Sequence, residues 1–220
     1  MTIKAIIFDF DGVITESMDI KTQAFTYLFK DCSKETVDKI VKLHLDNGGM
    51  SRFEKFKIIY NDYLQEILTK EEEKRLAQGF SSFCFEKMLE CPYVKGVEDF
   101  LKNNYRKYNL FIASGTPHEE MNRIVDERNL RKYFQGVWGS PRGKSEIIKM
   151  ILEKYNLKNN EVVFIGDAPT DYWGAQEADI GFIARIIPGE YNPFQDGDFK
   201  IKHIIEDLTS LDKTLNTLGN

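Results

Sequence analysis

Apolar residues along this chain follow two different rhythms, and the change from one to the other divides it. Ala5-Ile6-Ile7-Phe8 is an unbroken apolar run that stops abruptly at Asp9-Phe10-Asp11-Gly12. Such a run reads as a parallel strand buried on both faces, with a polar carboxyl end. After Thr15 strand-like runs vanish and helical spacing takes over. Ala24, Phe25, Leu28 and Phe29 give one helix, and Val37, Ile40, Val41 and Leu45 a second. Phe53, Phe56, Ile59, Tyr60, Tyr63, Leu64 and Ile67 mark a third. A fourth starts at Thr69-Lys70-Glu71-Glu72, runs through Leu76, Phe80, Phe83 and Met88, and ends near Cys91-Pro92. Between the second and third, the pair Gly48-Gly49 predicts a mobile loop, and Ser51 is placed to cap the helix that follows.

From Pro92 onward strands and helices alternate. Asn109–Ala113, Gly136–Trp138, Glu161–Ile165, Ile180–Ala184 and His203–Ile205 read as strands, and 208–218 as a terminal helix. Alternation of this kind predicts an α/β fold, a doubly wound, Rossmann-like parallel sheet. Residues 1–15 and 95–220 would form its core domain, with 16–94 inserted as an all-helical domain. Periodicity alone also allows those helices to belong to the main core. Sheets of this type bind ligands at the carboxyl ends of their strands, so polar residues there matter most.

Four strand ends or helix starts carry such residues. Asp9 and Asp11 bracket a single residue, and Gly12 suits a turn with positive φ. Two carboxylates held close repel unless a cation or a shared proton relieves them; the alternative is a plain Asp-Gly turn. Thr116, Pro117 and Glu119 read as N-cap, first helical residue and capping-box partner, which puts a helix amino terminus behind Ser114. The Ser114 hydroxyl and Gly115 N–H would then line an anion cradle, or simply a strand-to-helix turn. Lys144, in Ser140-Pro141-Arg142-Gly143-Lys144, precedes a helix beginning near Ser145, where the helix dipole disfavours a cation. That position suggests an anion partner, although a solvated lysine is the common fate of the residue. Gly166-Asp167 and Asp171 again place carboxylates after an apolar strand, with Asp171 able to act as a helix cap instead.

Composition narrows the classes. The 220 residues are 42% hydrophobic, enough for a sizeable core. No apolar run approaches the roughly twenty residues of a membrane span, and the amino terminus does not read as a signal peptide. Cys32, Cys84 and Cys91 lack metal-ligand spacing and are expected to be reduced packing residues in a cytoplasmic protein. A net charge of -5 gives no general attraction to nucleic acid or anionic membrane, so cations that bind a phosphate must be local.

Taken in order, Asp9-Phe10-Asp11-Gly12-Val13, Ser114, Lys144 and Gly166-Asp167 with Asp171 resemble the four motifs of the haloacid dehalogenase superfamily, in the phosphatase and β-phosphoglucomutase-like branch with a helical cap. The resemblance covers residues 1 to about 15 and about 95 to 205, and the cap matches in position and class only. It implies magnesium-dependent hydrolysis of a small phosphorylated metabolite, a sugar phosphate or phosphoglycolate-like acid, through an aspartyl-phosphate. Asp9 would be the nucleophile and Asp11 the general acid/base. Ser114, Gly115 and Lys144 would hold the phosphate. Asp9, the Asp11 carbonyl and Asp167 would bind Mg2+, with Asp171 as ligand or support. The protein is expected to be a monomer or weak dimer, its cap closing as a lid.

A sugar phosphomutase is the rival: Asp11-Gly12-Val13-Ile14-Thr15 and Gly49-Met50-Ser51-Arg52 look like β-phosphoglucomutase, whose cap arginine grips a second phosphate. Where that branch has a histidine in the first cap helix, this chain has Lys21. Arg52 is accordingly expected to bind substrate, or else to pair with an acid such as Glu54. A catalytically silent binding module would have lost the nucleophile, the acid/base or a metal ligand, and none is lost. A phospho-acceptor receiver domain would be shorter and lack the helical insert.

Overall fold

A computed structural model describes residues 2–47 and 50–218, so the expected Gly48-Gly49 loop lies outside the described residues. The chain divides into two compact units, Met1–Glu16 with Pro92–Asn220, and Ser17–Cys91. The first opens with β1 (Ala5–Phe8). The second holds α1 (Met18–Leu28), α2 (Lys34–Asp46), α3 (Arg52–Ile58) continued by a π-helical turn at Ile59–Leu64, and α4 (Lys70–Glu90). The first unit then resumes with α5 (Val97–Asn104), β2 (Asn109–Pro117), α6 (His118–Glu127), β3 (Gly136–Ser140), α7 (Lys144–Lys154) and β4 (Val162–Gly166). It ends with α8 (Pro169–Glu177), β5 (Gly181–Arg185), β6 (Ile204–Ile205) and α9 (Leu211–Leu218).

The six strands form one parallel sheet in the order β3-β2-β1-β4-β5-β6. β1 lies between β2 and β4, where the order of the strands reverses, with Phe8 aligned to Ile112 on one side and Ile165 on the other. Its four residues are fully buried, as a strand covered on both faces requires. Because side chains alternate, Ile7 joins Phe111, Phe164, Ile147 and Tyr172 in one core cluster. Phe8 meets Phe100 and Phe134 edge to face at 6.1 and 6.3 Å. Truncating either of these β1 residues would cost about 2–5 kcal/mol.

One expected helix start is corrected. β2 runs on to Pro117, which pairs with Ser140 of β3, and α6 begins only at His118 with no side-chain cap. Thr116 is strand, its carbonyl pressed so close to Gly139 that a Cβ there would lie 2.1 Å away. The Thr116 hydroxyl is used elsewhere, as described below.

In the helical unit the four expected helices form, with Ser51 and Thr69 capping α3 and α4. Ser51 and Glu54 make a reciprocal capping box. Phe25 centres the packing, with ring centroids 5.0 Å from His44, 5.9 Å from Phe56 and 5.0 Å from Phe80. Three apolar positions depart from expectation, Leu45 at 60% exposure, Phe53 at 42% and Ile67 at 90%. α2 turns Ile40 and His44 inward, one helical turn apart, which leaves Leu45 outside. The third helical stretch stops at Gln65, in the left-handed region at φ 55°, before it reaches Ile67.

Candidate active site

Asp9 follows β1 directly, and its N–H donates to the Ile165 carbonyl at 2.9 Å, so the strand's ladder continues up to the carboxylate. The chain then folds on itself. Ile14 and Thr15 N–H both donate to the Phe10 carbonyl, Gly12 N–H donates to Thr15 O, and Gly12 takes the expected positive φ of 72°. This closed turn buries Asp9 and Asp11 to 7% and 5% exposure.

Lys144 is the first residue of α7, and it reaches the same place. Its ammonium lies 2.7 Å from Asp9 Oδ1 and 2.5 Å from Asp171 Oδ1, so it is not the solvated lysine the alternative reading allowed. Asp171 is fully buried and divides its oxygens. Oδ1 faces Lys144, while Oδ2 accepts from the Asp167 and Ala168 N–H groups at 3.2 and 3.1 Å. One carboxylate thus caps the start of α8 and pairs with Lys144 at the same time.

Two glycines make the arrangement fit. A Cβ on Gly166 would stand 2.3 Å from Asp171 Cβ, and one on Gly174 would stand 2.7 Å from Lys144 Cβ. Gly174 sits inside α8, where glycine costs about 1 kcal/mol relative to alanine. An isolated glycine in a helical pattern is the one sequence signal for this close packing.

On the other side of β1, Ser114 is 1% exposed, and its Oγ accepts from Thr116 N–H at 3.1 Å. The Thr116 hydroxyl donates to Asp11 Oδ2 at 3.2 Å. Sequence reasoning assigns Thr116 to a cap and misses this contact, since a threonine after a strand serves either use equally well. Gly115 is exposed, with open space around it.

The fold thus brings Asp9, Asp11, Ser114, Lys144, Asp167 and Asp171 to the carboxyl edge of the central strands or the helix starts beside them. Arg52 belongs to the helical unit, where its guanidinium donates to Ser81 Oγ at 2.8 Å and lies 4.8 Å from the Phe80 ring centre. Glu54, its suggested partner, is engaged with Ser51.

Charge at the strand ends is unbalanced. Burial raises the Asp9 carboxyl to about 7, the neighbouring Asp171 and Asp11 carboxylates add to that rise, and Lys144 opposes it. Asp167 is likewise held well above the usual carboxylate range, first by desolvation and then by Asp9 and Asp171. Burial works against the Lys144 charge, but Asp171 and Asp9 outweigh it and hold the ammonium above its ordinary value. Oxygens of Asp9, Asp167 and Asp171 lie within 4.8 Å of one another. Hard oxygen donors with a surplus of negative charge suit a cation such as magnesium. Within this group Asp171 already serves Lys144 and two amides, and Asp9 Oδ1 also faces Lys144.

The model of the haloacid dehalogenase-like hydrolases matches residues 6–185. No curated protein sequence matches the chain. Among solved structures, a predicted phosphoglycolate phosphatase from Haemophilus somnus is 18% identical with a TM-score of 0.76, covering 97% of this chain and 98% of its own. The β-phosphoglucomutase of Clostridium difficile is 17% identical with a TM-score of 0.73, covering 98% of each chain. YfnB from Bacillus subtilis, solved with bound magnesium, is 18% identical with a TM-score of 0.73, covering 98% of this chain and 100% of its own. At these identities the likeness is one of fold.

Proposed function

The chain belongs to the haloacid dehalogenase-like hydrolases, and on that footing we propose that it is a magnesium-dependent phosphatase of a small phosphate monoester, such as a sugar phosphate or a phosphoglycolate-like acid. The observation that carries this reading is Lys144 held between Asp9 and Asp171, which fixes a cation and a buried carboxylate at the end of the central strand.

In the proposed reaction an Asp9 oxygen attacks phosphorus, and the bond from phosphorus to the leaving oxygen breaks as the aspartyl-phosphate forms. Asp11, steadied by the Thr116 hydroxyl, gives its proton to the departing alkoxide. Asp11 then takes a proton from water as that water attacks phosphorus, which frees Asp9 and releases inorganic phosphate. Ser114 and Lys144 hold the equatorial oxygens, and Lys144 also keeps the Asp9 carboxylate oriented. Asp9 and Asp167, with the Asp11 carbonyl, would hold magnesium, whose chemistry when bound is to neutralise charge on the phosphoryl oxygens. Residues 17–91 are proposed as the cap that selects the leaving group, with Arg52 in that role for substrates carrying a second anion.

A panel of phosphate esters with and without Mg2+ tests the reading. It should include an aryl phosphate, phosphoglycolate and a hexose 1-phosphate assayed for isomerised product. Magnesium-dependent phosphate release is the expected result. Isomerisation without net phosphate release would replace it with a mutase, and binding without turnover of any ester would leave a silent module.

A further inference from the structure

Arg185 ends β5, two strands away from β1, yet its side chain is spent on the turn that carries Asp11. Its Nη1 donates to the Gly12 carbonyl at 2.7 Å and to Glu16 Oε2 at 2.9 Å. Nη2 donates to Glu16 Oε1 at 2.7 Å, and Nε to the Glu206 carbonyl at 3.0 Å. The guanidinium is only 4% exposed. Since β4 separates β1 from β5, the arginine bridges across the end of the strand that carries Asp167.

A buried guanidinium needs its donors satisfied, and here one planar fork closes on a carboxylate and two main-chain carbonyls at once. The important partner is Gly12 O. Residues 10–15 are closed on themselves by hydrogen bonds within the turn, but Gly12 stands in the left-handed region and, lacking a Cβ, is the residue of the turn whose backbone is least restrained by sterics. Its carbonyl belongs to the Gly12–Val13 peptide, the second after Asp11, so fixing it restrains the turn one residue beyond the acid/base. Thr116 restrains the carboxylate of Asp11, and Arg185 restrains the backbone behind it.

We propose that Arg185 is a positioning residue for the acid/base Asp11, acting through the Gly12 carbonyl, with Glu16 holding the guanidinium in plane. The assignment of Asp11 rests on the phosphatase reading above. The hold of Arg185 on the turn does not. Lysine cannot replace the fork, because one ammonium cannot span Gly12 O, Glu206 O and both oxygens of Glu16 in the same plane.

The test uses the full chain with Arg185→Gln and the milder Arg185→Lys, with two readouts. The first is single-turnover release of the leaving alcohol from an aryl and an alkyl phosphate with Mg2+. An alkoxide needs the acid more than an aryl oxide does, so both variants should lose tenfold or more on the alkyl ester and about threefold or less on the aryl ester, with KM little changed. The second is amide hydrogen exchange, in which peptides spanning 10–16 should exchange faster in the variants while 162–166 keeps its protection. Equal losses on both esters, or unchanged exchange at 10–16, would overturn the proposal. If wild type turns over neither ester, the phosphatase reading falls, and the exchange arm alone still decides whether Arg185 holds the turn. If Arg185→Gln does not fold, the same two readouts on Arg185→Lys decide the matter.

Discussion

The Thr116 hydroxyl donates to Asp11 Oδ2 at 3.2 Å, joining the second strand of the sheet to the turn after the first. Once Asp11 has given up its proton, this hydrogen bond reaches an ionised oxygen, where such a bond contributes about 1.5–3 kcal/mol. Thr116→Val should therefore slow hydrolysis of an alkyl phosphate roughly tenfold, a barrier rise of about 1.4 kcal/mol, while an aryl phosphate is nearly spared. Equal slowing of both esters would detach Thr116 from the proton transfer.

Asp9→Asn keeps the shape of the side chain and removes the nucleophile. Its turnover should vanish while the circular dichroism spectrum stays that of wild type. Turnover close to wild type would sink the covalent mechanism.

Asp167 offers a carboxylate oxygen within 4.8 Å of one on Asp9, and its charge is disfavoured until a cation arrives. Asp167→Asn should raise the magnesium concentration needed for half-maximal activity by an order of magnitude or more, and calorimetry should show weakened Mg2+ binding without substrate. Unchanged magnesium affinity would remove Asp167 from the ligand set.

Gly166→Ala would drive a methyl group into Asp171, and Gly174→Ala would drive one into Lys144. Overpacking of this kind costs about 1–3 kcal/mol. Each variant should melt earlier and also lose turnover, since the displaced groups belong to the charged cluster. A variant that melts earlier but turns over normally would separate this packing from catalysis.

Lys55 predicts a pH dependence of stability in the helical unit. The residue is 2% exposed, with Nζ 2.8 Å from His44 Nδ1, and burial followed by Lys21 lowers its pKa to about 8. His44 is pushed to about 3 by burial, Lys55 and Lys21, so near neutral pH it is a neutral ring whose Nδ1 accepts a hydrogen bond from the Lys55 ammonium. Because Lys55 in the folded chain loses its proton near pH 8 and the unfolded chain near 10.5, the unfolded state binds more protons between those values. The penalty is full below pH 8 and is relieved as pH rises to 10.5. Relative to Lys55→Met, wild type should gain about 3 kcal/mol over that window in denaturant titrations. A flat difference would mean that Lys55 titrates normally.

How much of the fold and site is legible in the sequence depends on what each element needs. β1, β2 and β4 are legible because strands buried on both faces must be apolar throughout, and the abrupt carboxylates after β1 and β4 mark the site. Lys144 is legible through its awkward place at a helix start. Thr116 is ambiguous because strand and cap use the same hydroxyl, and only the partner 105 positions away decides between them. Leu45 reads as inward because periodicity tolerates a shift of one position, and the shift is decided by the polar pair of His44 and Lys55. Arg185 carries no local signal, since its partners Gly12, Glu16 and Glu206 are all distant in sequence.

The pairing of β1 also dictates an order of events for a chain emerging from the ribosome. Ala5 finds its neighbours only at Asn109 and Val162, after the whole of 17–91 has been made. The first apolar strand is thus synthesised early and sheltered late, while the helical unit has all its internal partners available before β2 exists. Non-local pairing of this kind slows folding and leaves an unpaired hydrophobic strand open to wrong partners. The segment that bears Asp9 consequently stays without its second sheet neighbour until Ile165 has emerged.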